Sequence, residues 1–333
     1  MLLMSAGDEV ELERWRTQHG RCQLSGAKMR PQPTMAQALS KLPSILALVV
    51  KMRLKAGGWL GPVSLTAEEA TDVLAATKMN VREMMGALLD VAAAMGRMPG
   101  EGNHIGAVLE AESGAIYLGS PFAWQGTGLK FSMHGVQAAV LNAWHQGESR
   151  LRSLMVETPP CACCRQFLRE TWNWNNIKIY QAGDGSESGK TGAFTEIPFA
   201  MNGLKLEGIK SRLMGEPQRG ITLGKFETNE LINLAAEAAS YAYAPYSKNF
   251  AGVALKTKRG TVHLGRYAEC SSSIVGVLAI ESALISVVAS GGSLSDVAEV
   301  ILVETRGTVT QFSATQKLVM AMDNIPFRFM MAT

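Results

Sequence analysis

The sequence lacks any apolar run near the roughly 18 residues that a membrane-spanning helix requires; the longest, LPSILALVV, stops at Lys51. It lacks an excess of charge of one sign: the formal net charge is +3 and the basic residues are dispersed, which argues against a phosphate-tracking surface, and no nucleic-acid partner is expected. A disorder signature is missing too, because 47% of residues are hydrophobic and only 18% are charged. The opening MLLMSAGDEVELERW has no charged stretch ahead of its short apolar one, and Asp8, Glu9, Glu11 and Glu13 are foreign to a transit peptide. The expectation is a cytoplasmic protein off the membrane, with an organellar destination left open. Cysteine is scarce and odd in number: Cys22, Cys161, Cys163, Cys164 and Cys270, three of them within four residues. That excludes a disulfide framework and favours a metal or catalytic cluster in a reducing compartment.

What is present is an alternation of helix and strand signals. Residues 1–32 form a polar, mixed-charge lead. Residues 33–98 are helical in pattern; LTAEEATDVLAAT offers Thr66 as N-cap with Glu69 three residues on, the capping-box spacing. From 99 to 182 the period changes. HIGAVLEAESGAIYLGS reads as two strands joined at Ser113-Gly114, then HGVQAAVLNAWHQG as a helix, SLMVE as a strand, CCRQFLRETW as a helix and IKIYQ as a strand. This order predicts an α/β layered fold. A glycine-rich stretch, 183–226, reads as a linker, and helix and strands return over 227–333. Eighteen methionines, mixed among Leu and Ala, are read as core filling.

The return is a repeat. GAVLEAESGAIYLG (106–119) aligns without gaps on GVALKTKRGTVHLG (252–265), matching Gly106/Gly252, Leu109/Leu255, Gly114/Gly260, Leu118/Leu264 and Gly119/Gly265. VET at 156–158 recurs at 303–305, one residue further out of step. Two copies of one α/β unit account for the chain.

Cys161 and Cys164 form a C-x-x-C pair directly after Pro159-Pro160, at the predicted start of a helix. Unpaired N–H groups and the helix dipole lower cysteine pKa values there, and the spacing lets both sulfurs reach one tetrahedral ion. The pair alone also fits a redox couple or buried thiols. His134, at the start of another helix, offers a third ligand, and three protein ligands leave a fourth position open, as in catalytic zinc. PCACCRQFL is similar to the PC-x-x-CRQF signature of cytidine deaminases, and MHGVQAAVLNAW resembles their HAEQ-containing helix at the same interval. Segment 33–98 resembles the helical appendage of the two-domain, homodimeric branch, and YAYAPYSKNFAGVAL (241–255) the opening of that branch's zinc-free second copy. The resemblance implies a duplicated three-layer α-β-α sandwich and a homodimer. It implies one zinc per chain, in the first copy only, held by His134, Cys161 and Cys164, with Arg165 hydrogen-bonded to a ligand thiolate. Cys163, between the ligands, is read as a small core residue. In the second copy Thr308 and Gln311 stand at the cysteine positions, and Glu281 is read as a helix-surface charge.

The resemblance also exposes losses. Zinc deaminases activate a water against C4 of cytosine and use one glutamate, not a metal ligand, to carry protons to the ring and the departing ammonia. That glutamate would stand at Val136, and no Asp or Glu occurs between Glu112 and Glu148. General acid–base catalysis is worth about 10²–10⁴-fold. The family's ribose-holding N-x-E segment falls on Pro121 and Ala123, neither of which offers a side-chain hydrogen bond, and its aromatic cover falls near Ser273 within AECSSS. Three readings follow: a zinc-binding, catalytically inactive or strongly impaired subunit, structural or interacting with a protein partner in a larger assembly; a working cytidine or deoxycytidine deaminase with another proton carrier; or a nucleoside- or nucleotide-sensing module. On the first, a cytidine-like ligand binds weakly or not at all.

Overall fold

The computed structural model of the chain describes residues 31–56, 63–98, 105–124, 131–182, 194–197, 212–215, 218–223, 228–272, 275–322 and 325–333. Among the described residues four helices come first: α1 (Met35–Ser40), α2 (Ser44–Ala56), α3 (Ala67–Thr77) and α4 (Val81–Met95), with the short strand β1 (Ser64–Leu65) between α2 and α3. Reciprocal capping boxes start three of them, at Thr34/Gln37, Thr66/Glu69 and Asn80/Glu83, each satisfying two N–H groups that a helix start leaves unpaired. The lead at 1–30 lies outside the described residues.

The first repeat then runs β2 (Ala107–Ala111), β3 (Ile116–Gly119), β4 (Phe122–Ala123), β5 (Ser132–Met133), α5 (Gly135–His145), β6 (Leu151–Val156), α6 (Ala162–Glu170) and β7 (Lys178–Ala182). Within 183–226, read from the sequence as a linker, Phe194–Ile197 forms β8, antiparallel to β7. The sheet order is β1-β3-β2-β6-β7-β8. The second repeat runs α7 (Glu230–Ser240), β9 (Ala251–Thr257), β10 (Val262–Arg266), α8 (Ala279–Ala289), β11 (Val297–Thr305), α9 (Phe312–Met320) and β12 (Phe327–Ala332), with sheet order β10-β9-β11-β12. In both repeats three strands pair antiparallel, β3-β2-β6 or β10-β9-β11, and the next pair, β6/β7 or β11/β12, is parallel. The duplication is one of topology as well as sequence.

The matched glycines explain the match. Gly114 and Gly260 take φ of +92° and +85° in the two hairpin turns, the left-handed region that side chains avoid. A Cβ on Gly119 would lie 2.0 Å from the Gly135 carbonyl oxygen, and one on Gly265 would lie 2.0 Å from that of Ala279. Each glycine lets the helix after the hairpin sit directly on its strand. This contact aligns α5 with α8, both 11 residues long, and so places His134 against Leu278 and Val136 against Ile280. Gly106 and Gly252 do the same on the opposite face, against α4 and α7.

Strand alternation sends side chains to two sides. Leu109, Leu154, Val156, Val253, Val300 and Leu302 enter one core with α5, α6 and α8, whereas Val108, Met155 and Tyr180 pack with α4 and Ala254, Ile301 and Val303 with α7. Each repeat is thus an α-β-α sandwich. The core between the two sheets is common to both copies, and Gln32–Thr333 forms one compact unit.

The strand register corrects one detail. Ala107 pairs with Val156 and its equivalent Val253 pairs with Leu302, so Glu304 stands one residue out of step with Glu157. The recurring VET is a sequence coincidence within an otherwise true repeat. Glu304 is 1% exposed and accepts hydrogen bonds from the Gln311 N–H and the Thr310 hydroxyl.

Candidate metal centre

Three helix-start residues meet at one point. His134 is the N-cap of α5, Cys161 is the N-cap of α6, and Cys164 lies three residues into that helix. His134 Nδ1 lies 3.3 Å from Cys161 Sγ and 3.3 Å from Cys164 Sγ, and the two sulfurs are 3.6 Å apart. A tetrahedral zinc with bonds of about 2.3 Å to sulfur and about 2.0 Å to nitrogen separates its ligands by roughly 3.5–3.8 Å. The trio fits that ion, and in donor type it is a zinc set. Among the described residues this is the group of three His, Cys, Asp or Glu side chains that could share a metal, and no carboxylate joins it.

The local chain explains why the trio forms. β3, β4 and β5 carry the backbone to His134: Ala123 pairs with Ser132, two residues before the histidine, and Arg97 brackets the strip by donating to the Pro121 carbonyl and accepting from the Ala123 N–H, both at 2.9 Å. β6 ends at Val156, and the Pro-Pro turn delivers Cys161 to its helix start, where its sulfur accepts from the Cys164 N–H. Arg165 Nε donates to the Pro160 carbonyl at 2.8 Å, bracing the turn just before Cys161. Cys164 is buried, whereas His134 and Cys161 face the surface.

The sulfurs divide their proton unequally. The Cys164 thiol, the His134 ring and the Cys164 N–H all hydrogen-bond Cys161 and take its pKa down to about 3 against the opposing effect of burial. Its bond to Cys161, then burial, pushes Cys164 well up; the bond to Cys161 raises His134.

Several residues stand differently from the sequence reading. Cys163 is exposed, not core, because α6 turns Cys164, Phe167 and Leu168 inward and Cys163 lies on the other side. Glu281 is not on the surface: it is 4% exposed and accepts the Leu278 N–H as a buried cap. It matches Gln137 in register, one residue beyond Val136. Val136 is buried in the second position of α5, and Pro121 and Ala123 are buried in the strip described above. Gln311 is the N-cap of α9, the place Cys161 holds on α6, while Thr308 lies before the helix and bonds the Ser247 carbonyl. Ser273 lies outside the described residues.

Three buried polar side chains on α5 and α6 carry no clear signal in the sequence. Gln137, Gln166 and Glu170 are 6%, 6% and 0% exposed, on the helices that carry the ligands. Their signal was weak: a polar residue at i, i+4 spacing within an apolar helix face.

The chain compares closely with known proteins. It is 32% identical over 299 residues to a cytidine deaminase of Photobacterium profundum, covering 89% of this chain and 98% of that one. The chain belongs to the cytidine deaminase family. A cytidine deaminase of Photorhabdus laumondii is 33% identical over 262 residues, covering 78% of this chain and 87% of the relative. One of Shewanella halifaxensis is 30% identical over 284 residues, with 85% and 93% covered. The family model for the cytidine and deoxycytidylate deaminase zinc-binding region matches residues 198–316. That match falls on the second repeat, so in this family chain the copy that fits the model and the copy that carries the ligand trio differ. Among solved structures, a crystal structure of cytidine deaminase from Burkholderia pseudomallei is 27% identical over 30% of this chain and 79% of its own, with a TM-score of 0.26. Among the described residues no helix is long and apolar enough to cross a membrane.

Proposed function

We propose that this chain is a zinc-binding member of the cytidine deaminase family in which the proton-transfer step has been lost, and that it serves as a homodimeric structural or interaction subunit. The observation that carries this reading is Val136: it is buried at the second position of α5, two residues from His134, and no carboxylate joins the ligand trio among the described residues. His134, Cys161 and Cys164 would hold one zinc per chain, which when bound supplies Lewis acidity toward a water molecule. Val136 can neither take a proton from that water nor pass one to a ring nitrogen. Pro121 and Ala123 present no side-chain donor or acceptor toward a ribose. A hydroxyl buried against them without a partner would cost about 1–3 kcal/mol each. The metal would be retained because it ties the starts of α5 and α6 and contributes to folding.

A second reading has its own support. The ligand trio has the spacing of a working site, and the chain spans nearly the whole length of a curated cytidine deaminase. On that reading the chain deaminates cytidine or deoxycytidine with a different proton carrier. Metal analysis combined with a cytidine absorbance assay on the wild type and Val136→Glu separates the two. The first reading expects about one zinc per chain and no conversion by the wild type; conversion that disappears in His134→Ala overturns it. Activity appearing only in Val136→Glu isolates the missing carboxylate as the cause.

A further inference from the structure

The three buried polar side chains on α5 and α6 share a destination. Gln137 Nε2 donates to the Val275 carbonyl at 3.1 Å, while its Oε1 accepts the His134 N–H at 3.3 Å. Gln166 Nε2 donates to Ser271 Oγ at 2.8 Å, and Glu170 Oε1 accepts the Ser271 N–H at 2.8 Å. All three cross from the metal-bearing helices of the first repeat to one connection of the second, between β10 and α8. That connection is closed on itself by paired bonds between Ala268 and Val277, of 3.0 and 2.8 Å, so its two anchor points stand in a set relation. Glu170 is fully buried with no cation beside it among the described residues. Its carboxylate instead accepts from Tyr243 at 2.8 Å and Tyr246 at 3.0 Å, both also in the second repeat. A buried carboxylate satisfied only by hydrogen bonds holds its donors in place, because any lost donor leaves it unpaired.

We infer that this connection is a clamp: through Ser271 and Val275 the second repeat positions His134, Cys161 and Cys164 for metal binding, with Gln137, Gln166 and Glu170 as positioning residues. The inference rests on the zinc reading above and deepens it. One amide, Gln137, bridges a ligand's own backbone to Val275. Two side chains one turn apart on α6, Gln166 and Glu170, grip the hydroxyl and the N–H of the same serine and so set the rotation of the helix that carries both sulfurs.

The test is metal affinity across the repeat boundary. Apo protein of full length would be titrated with zinc against a competing chelator and with cobalt, whose visible spectrum reports the geometry of a thiolate-imidazole set. Gln166→Ala and Ser271→Ala are each expected to weaken metal binding by about 10–100-fold and to alter the cobalt spectrum. The double variant should add no further loss, since the two partners form one bond. Ser282→Ala, which removes the bond to His145 Nε2 at the far end of α5, is the control; it lowers stability and leaves the spectrum and affinity unchanged. If Gln166→Ala and Ser271→Ala bind cobalt as the wild type does, or if Ser282→Ala weakens binding equally, the clamp is refuted while the metal reading stands. A wild type that takes up neither metal overturns both.

Discussion

In the first repeat the starts of α5 and α6 meet at three side chains that could share a metal; in the second, the starts of α8 and α9 meet at one hydrogen bond, from the Ala279 N–H to Gln311 Oε1 at 2.9 Å. The same geometric problem, holding two helix ends together over a sheet edge, has two chemical solutions. The second is less complete: Gln311 Nε2 and Thr315 Oγ1 are buried with no hydrogen-bond partner among the described residues. The comparison teaches that the sheet and its helix contacts, not the metal, define the repeat. The second copy keeps the fold with an amide where the first has the His/Cys/Cys group. In the first copy, α5 and α6 are also gripped from outside by the second.

The largest effect should come from what the copies share. Gly119→Val and Gly265→Val each drive side-chain atoms into a helix backbone, and both should cost at least about 4 kcal/mol or abolish soluble protein. Chemical denaturation checks this, and a large loss in one copy only would break the equivalence. Next come the two ties. Cys164→Ala should take bound zinc from about one per chain to none by elemental analysis, whereas Gln311→Ala should leave the zinc content unchanged.

A smaller, pH-dependent effect distinguishes the central hairpins. His263 on β10 occupies the place of Tyr117 on β3. Burial lowers its pKa from 6.5 to about 4, while burial and then Glu148 raise that of Tyr117. The unfolded chain takes up a proton near pH 6.5 and the folded chain does not until about pH 4. Stability is therefore full above pH 6.5 and falls as pH drops toward 4, by up to about 3 kcal/mol. Thermal unfolding of wild type and His263→Tyr between pH 7 and pH 4 should show the substitution flattening this dependence. The smallest effect is the amide tie itself: Gln311→Ala should cost about 1–2 kcal/mol, with urea midpoints as the readout.

The Thr66/Glu69 cap, the hairpin at Ser113-Gly114, the helix after His134 and the cysteine-bearing helix were all legible, because each is a local signal. β8 was hidden, since four residues among glycines carry too short a period. Cys163 and Glu281 were misplaced for one reason: helical spacing alone does not say which face a neighbouring element covers.

By itself the amino-acid order determined the duplicated unit, through glycines that only a tight turn or a close helix contact demands. It also brought forward His134, Cys161 and Cys164 as a candidate metal set, with a valine two residues after the histidine. Only the tertiary structure decided that Gln137, Gln166 and Glu170 reach over to Ser271 and Val275, and that Gln311 links the two helix starts of the second copy. The physical reason is that these bonds join residues more than a hundred positions apart, or two separate helix starts. No local pattern records such a pairing; the shared core between the sheets brings the partners together.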